Sequence, residues 1–156
     1  MTRKHEHEEV FGASPEEVFA LLHTPSAIRE WWGASRAIVN PAPGGTWAAA
    51  WGENEDLPDY ITTAVMRVFD PPMRIVFGDY SYFAGNGPLP FDAPFVTEFS
   101  VAPHPEGTTL RVVQDGFPAD PEADAFYDAC GQGWRDTFKG IRNYLERRAA
   151  VEADTS

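Results

Sequence analysis

Apolar residues recur along this chain at two periods, and the switches between them divide it into elements. Residues 3 to 12 read as a strand that ends on Val10 and Phe11 and breaks at Gly12-Ala13. Ser14 then supplies a helix N-cap, Pro15 suits the first helical position, and Glu17 completes a capping box. Val18, Leu21 and Leu22 form one apolar face at helical spacing, and Thr24-Pro25 restarts the pattern as a second short helix with Ala27, Ile28, Trp31 and Trp32. Gly33 stops it. Period-two segments follow at 37–40, 46–51, 60–69, 74–80, 95–102 and 108–114, separated by turn-forming residues such as Pro71-Pro72 and His104-Pro105-Glu106-Gly107. This alternation predicts an antiparallel sheet with one wet face. Asp120-Pro121 opens a last, long helix whose stripe is Phe126, Cys130, Trp134, Thr137, Phe138, Ile141, Tyr144 and Leu145. Gly131 and Gly133 lie inside it, which predicts a close backbone approach or a bend near Trp134.

The expected fold is α+β: a curved six- to seven-stranded antiparallel sheet gripping a long C-terminal helix, with two short helices after the first strand. Residues 1–148 make one domain, and 149–156 form a charged, small-residue tail expected to fray. Residues 81–94 combine glycines and prolines with Tyr82, Phe83, Leu89 and Phe91. Aromatic residues in so long a loop need a surface to pack on, so the segment is expected to act as a flap over a cavity mouth.

Composition narrows the partners. The 156 residues carry a formal net charge of -12, which repels phosphate backbones and anionic membrane surfaces. Nucleic acid and membrane are therefore not expected partners. No run of about 18 apolar residues occurs, and no apolar stretch follows the basic N-terminus, so neither a membrane span nor a signal peptide is expected. Cys130 is the only cysteine and can form no intrachain disulfide, consistent with a cytoplasmic location.

The pieces Ser14-Pro15-Glu16-Glu17-Val18-Phe19, Trp31-Trp32-Gly33, Pro43-Gly44-Gly45, Val68-Phe69-Asp70-Pro71-Pro72 with Arg74-Ile75-Val76-Phe77, Gly107-Thr108-Thr109-Leu110 and Gly133-Trp134 stand in an order that resembles a known family. They resemble the START-related helix-grip (SRPBCC) superfamily, and within it the domain named for the activator of the heat-shock-protein-90 ATPase. The resemblance spans residues 10 to about 146. It implies a container fold whose wider relatives include lipid and hormone carriers, polyketide cyclases and proteins that sequester antibiotics, and its name links it to stress response. Two departures stand out: Gln114 occupies a position where the family often carries His, and the 81–94 segment is longer than usual. The co-chaperone's additional amino-terminal domain has no counterpart in a chain of this length, so a chaperone partner is allowed but unsupported.

The candidate ligand-binding residues are Trp47, Trp51, Thr62, Asp79, Phe83, Phe91, Thr97, Phe99, Gln114 and Trp134. Trp47 and Trp51 share a strand face that should look toward the last helix, and pockets for small molecules have apolar, aromatic walls. Gln114 is in phase with Leu110 and Val112, Asp79 with Ile75 and Phe77, Thr97 with Phe95 and Phe99, and Thr62 with Ala64 and Met66. Inward polar groups must satisfy one another or meet a ligand. No catalytic set, metal constellation or cofactor loop is evident: His5 and His7 share a strand face without a third ligand, and Cys130 lacks the electropositive setting of a reactive thiol. The expected function is non-catalytic binding of an apolar or aromatic small molecule. The alternatives are a cyclase- or dehydratase-like enzyme, with Asp79 as general base, and a chaperone-associated or regulatory interaction module. A homodimer through the sheet edge or the flap is compatible with the pattern, but nothing in it fixes one.

Overall fold

The computed structural model describes residues 2–85 and 94–155. Its strands are β1 (Thr2–Phe11), β2 (Arg36–Val39), β3 (Thr46–Trp51), β4 (Tyr60–Asp70), β5 (Arg74–Ala84), β6 (Val96–His104) and β7 (Gly107–Pro118). They form one curved antiparallel sheet in the order β1-β7-β6-β5-β4-β3-β2. Helices α1 (Pro15–Leu21) and α2 (Pro25–Trp32) follow β1, and a 3-10 turn at Pro121–Ala123 leads into α3 (Asp124–Thr155). This is the helix-grip α+β architecture. Among the described residues, no helix is long and apolar enough to cross a membrane.

Local chemistry sets the helix ends. The Ser14 hydroxyl accepts from the Glu17 backbone N–H and the Glu17 carboxylate accepts from the Ser14 N–H, each at 3.2 Å, which completes the capping box. Such a cap contributes about 1 kcal/mol. Thr24 stands at the start of α2 but does not cap it with its side chain; its hydroxyl donates back to the Ala20 carbonyl at 2.6 Å. Gly33 ends α2 in the left-handed region, φ 71°.

Two strands run past their expected ends, and bulges explain why. In β5, Thr63 pairs with Ser81 and Val65 with Gly78, so Ala64 alone faces both Asp79 and Tyr80. Asp79 takes φ 52°, the one positive φ among the described non-glycine residues. The extra residue reverses the inward and outward alternation. Asp79 therefore turns outward, where Arg67 binds it at 2.9 Å, and Tyr80 turns inward. Strand β5 continues through Ser81–Ala84, residues expected to open a flap. The remainder of that segment, including Phe91, falls outside the described residues. In β7 a similar shift lies between its pairings with Arg3 and His5, and Gly116 sits at φ 101°, so Gln114 and Phe117 both belong to one longer strand.

The core fills the concave side. Phe11, Ile28, Met66, Ile75, Leu110, Val112, Phe138 and Ile141 are each essentially inaccessible to water, and each contributes roughly 1.5–3 kcal/mol by burial. Helix α3 divides this work. Its later turns, Phe138, Ile141 and Tyr144, are buried, and Arg142 ties it to β1 through Glu9 at 2.7 Å while its guanidinium lies over Phe11. The helix continues through the 149–155 segment, and its residues from Glu146 to Ala153 are exposed. His5 and His7 pack on α3 and show no metal geometry: His5 stacks on Tyr127 at 3.9 Å and donates to its carbonyl, and His7 meets the Phe138 ring edge-on. No cluster of metal-binding side chains occurs among the described residues.

The glycines of α3 differ in what surrounds them. A Cβ on Gly140 would lie 2.2 Å from the Trp31 carbonyl oxygen, so α2 and α3 touch backbone to side. A Cβ on Gly131 would lie 2.9 Å from the His5 ring. The close backbone approach expected at Gly131 and Gly133 thus falls at Gly140, and Gly131 meets a side chain instead. A Cβ on Gly133 would meet nothing within 4 Å.

Two predictions follow from this packing. Gly140→Ala should destabilise the fold by roughly 1–3 kcal/mol, because the carbonyl it strikes cannot swing away as a side chain would. Gly133→Ala should raise stability by about 0.5–1 kcal/mol through helix propensity alone. Thermal melts of the two variants should therefore shift in opposite directions, by roughly 2–4 °C per kcal/mol. The second concerns His23, which sits between Phe19 and Phe69, its ring 5.3 and 5.2 Å from theirs. Burial holds its pKa below the ordinary 6.5. The unfolded chain then takes up a proton that the folded chain refuses, so stability falls as pH drops through 6.5 and levels off below the folded-state value. His23→Gln should flatten that loss between pH 7 and pH 5 in denaturant midpoints; an unchanged slope would refute the assignment.

Candidate functional site

Where β5 and β6 separate, the grip leaves room. Their pairing covers only Arg74–Phe77 against Thr97–Ser100. Above it, between the sheet and the early turns of α3, lies a cavity of about 520 Å³. This is within the roughly 300–1,000 Å³ usual for small-molecule sites. Its walls are aromatic: Trp31 and Trp32 from α2, Trp47 from β3, Phe77, Tyr80 and Tyr82 from β5, Phe95 just before β6 and Phe99 within it, and Phe126 and Trp134 from α3. The rings touch in series, Trp47 to Phe77 at 5.3 Å, Phe77 to Phe99 at 6.0 Å and Phe99 to Trp134 at 5.7 Å. Ala129, Gly133 and Asp136 line the cavity and are exposed, so its rim runs along α3.

Polar groups enter this wall in a defined row. Phe77, Thr97 and Gln114 are cross-strand partners on β5, β6 and β7. The Tyr80 hydroxyl donates to Thr97 Oγ1 at 2.7 Å, and burial pushes its pKa up, so it remains a donor at neutral pH. The Trp134 indole N–H donates to Gln114 Oε1 at 2.7 Å. Trp31 and Trp51 likewise spend their N–H groups on the carbonyls of Leu21 and Trp32. Trp47 differs: it is 5% exposed, and its Nε1 is the buried side-chain polar atom without a hydrogen-bond partner among the described residues. Cys130 faces the same space, and burial pushes its thiol up to about 11.

Six residues singled out in the sequence meet here: Trp47, Thr62, Thr97, Phe99, Gln114 and Trp134. Three do not. Trp51 turns edge-on to Trp32 at 5.1 Å and braces it from behind. Asp79 is outside, through the bulge, and Arg67 holds its carboxyl below the ordinary carboxylate value. Phe83, one residue past Tyr82, takes the outer face and is 51% exposed. The tenth, Phe91, lies outside the described residues. The bulge also explains what the sequence concealed, because Tyr80 and Tyr82 replace Asp79 and Phe83 on the wall. Trp31 and Trp32, which are not among the candidate ligand-binding residues, are cavity wall as well as packing.

The sequence profile of the family described as Activator of Hsp90 ATPase homolog 1-like protein matches residues 12–146. No curated protein matches the chain. Among solved structures, a Mesorhizobium loti protein is 25% identical with a TM-score of 0.74, over 93% of this chain and 98% of that one. A Rhodobacter sphaeroides protein is 22% identical with a TM-score of 0.72, over 92% of each chain. A Staphylococcus aureus protein of unknown function shares the fold at 11% identity, with a TM-score of 0.75 over 96% of this chain and 97% of that one. With the profile covering most of its length, the chain belongs to the Activator of Hsp90 ATPase homolog 1-like family.

Proposed function

We propose that this protein binds an apolar or aromatic small molecule, without altering it chemically, in the cavity between the sheet and α3. The observation that carries the proposal is an aromatic-walled space of about 520 Å³ in an otherwise tightly packed grip. Gly133 adds to it. A glycine inside an exposed helical turn costs about 1 kcal/mol against alanine, and here no neighbour forbids a side chain. What its missing side chain does is keep the rim open.

A cyclase- or dehydratase-like activity would draw on Asp79 and Gln114 together, and Asp79 faces away from the cavity. The carboxylate that does line it, Asp136, is exposed at the rim and accepts from Gln132 Nε2 at 3.0 Å. The Cys130 thiol, held near 11, is a poor nucleophile at neutral pH. A chaperone-associated role is suggested by the family's name alone.

Two experiments test the proposal. In a thermal-shift and native mass-spectrometry screen of lipids, polyketides and aromatic metabolites, at least one compound should bind one-to-one. Gly133→Leu, which places a side chain over the rim, should weaken it tenfold or more without lowering the melting temperature. A panel without a binder, or full binding by Gly133→Leu, would count against the cavity as the site. Cys130 offers an independent readout. Its alkylation by iodoacetamide should be slow at pH 8, rise about tenfold per pH unit toward pH 10 as thiolate forms, and slow further when the bound compound occupies the cavity. A fast reaction at pH 8, unaffected by ligand, would contradict both its burial and its place in the wall.

A further inference from the structure

Charge around the cavity has one sign. Of the described residues that line it, Asp136 is the one with a side chain charged at neutral pH, and no Lys, Arg or His lines it. Burial raises the pKa of the Tyr80 and Tyr82 hydroxyls and pushes the Cys130 thiol up to about 11, so all three stay neutral. The sequence of residues 86–93 contains no basic residue. Asp136 has no ion-pair partner among the described residues. Arg135 beside it donates instead to Gln132 Oε1 at 2.8 Å, and neither Arg135 nor Lys139 lines the cavity. Gly133 and Asp136 are neighbours on one face of α3, and both belong to the exposed rim. Gly133 has no side chain to stand between the carboxylate and the opening.

Resting on the assignment of this cavity as a ligand site, we propose that its ligand carries a protonated amine on an apolar or aromatic body, and that the ammonium group stops at the rim against Asp136. The body fills the aromatic space and is stabilised there by burial. The ammonium N–H groups donate to the carboxylate in charge-assisted hydrogen bonds. The faces of the aromatic rings attract the same charge, because the ring quadrupole is negative there. Asp136 is exposed, so the charge at the rim keeps part of its water and escapes the desolvation cost of a buried ion pair. An anion meets the opposite conditions: no countercharge on the described wall, a carboxylate at the rim and a net charge of -12 on the protein. A neutral molecule with the same body gains burial alone. One charged position thus separates three ligands of equal apolar surface.

Three probes on one ring system separate the terms: 2-naphthylmethylamine, 2-naphthylmethanol and 2-naphthoate, titrated by calorimetry at pH 7. The wild-type protein should bind the amine about five- to tenfold more tightly than the alcohol, and the naphthoate more weakly than either. Gly133→Leu should weaken the amine and the alcohol alike, which places both in the cavity. Asp136→Asn keeps the shape of the side chain and an oxygen for Gln132 but removes the charge. It should reduce the advantage of the amine over the alcohol to less than about twofold. In the wild-type protein, raising sodium chloride from about 20 to about 500 mM should shrink that advantage as well. Equal affinity for amine and alcohol, or an advantage that survives either Asp136→Asn or high salt, overturns the inference while leaving the cavity a ligand site, because the alcohol still binds there. Tighter binding of naphthoate than of the alcohol overturns it too. If none of the three probes binds, or if Gly133→Leu binds them fully, the assignment on which the inference rests falls with it.

Discussion

Everything in this fold depends on how firmly the sheet holds the later turns of α3. Phe138 and Ile141 are wholly buried there, and Gly140 brings the Trp31 carbonyl against the helix where any side chain would strike it. That clamp is rigid because it is packed at both side-chain and backbone level. With one half of the helix fixed, the other half can stand off from the sheet without the domain collapsing. The cavity is the consequence: Phe126, Cys130 and Trp134 continue the same apolar stripe but face space and not core. A single helix thus provides both the anchor and a wall, and the change from one to the other falls between Trp134 and Phe138.

Much of this was legible in the sequence because it was written in periodicity. The capping box at Ser14 and Glu17, the alternation from Phe95 to Val101 and the stripe on α3 each follow from local rules that tertiary structure did not override. Gln114 was legible for the same reason: it is in phase with Leu110 and Val112 on a strand that stays regular until Asp115. Asp79 was not. Its inward placement was an extrapolation of phase from Ile75 and Phe77, and phase survives only until the first extra residue. Gly78-Asp79 was the available sign, since a short polar residue after glycine tolerates the left-handed backbone that a bulge requires. The exchange of Asp79 for Tyr80 is an error of phase, whereas Phe83, expected in a flap, lies instead on β5, where the strand turns it outward and Tyr82 inward.

That exchange alters the chemistry of the site. A cavity holding Asp79 would present a buried base within the wall; the cavity that exists presents phenols, an amide, hydroxyls and indoles there, and its one carboxylate among the described residues, Asp136, stands exposed at the rim. Tyr80 donates to Thr97, and Trp134 orients Gln114. These bonds hold the four side chains to one another along the wall. Trp51 contributes from outside by holding Trp32 edge-on and bonding its carbonyl at 3.2 Å. Trp51 packs against the core, but Trp32 at the end of α2 covers that part of the face.

The energetic balance points the same way. Glycine at 133 and an unpaired indole N–H at Trp47 are each unfavourable to the fold, by roughly 1 kcal/mol for the glycine and about 1–3 kcal/mol for the buried donor. The glycine is not forced by packing, since a side chain fits at Gly133, whereas the Trp47 ring is held between Trp32 and Phe77. Both features belong to residues that line the cavity. The clamp at Phe138 and Ile141 is what allows the fold to carry them, because the turns of α3 that hold the sheet are separate from the turns that face the cavity.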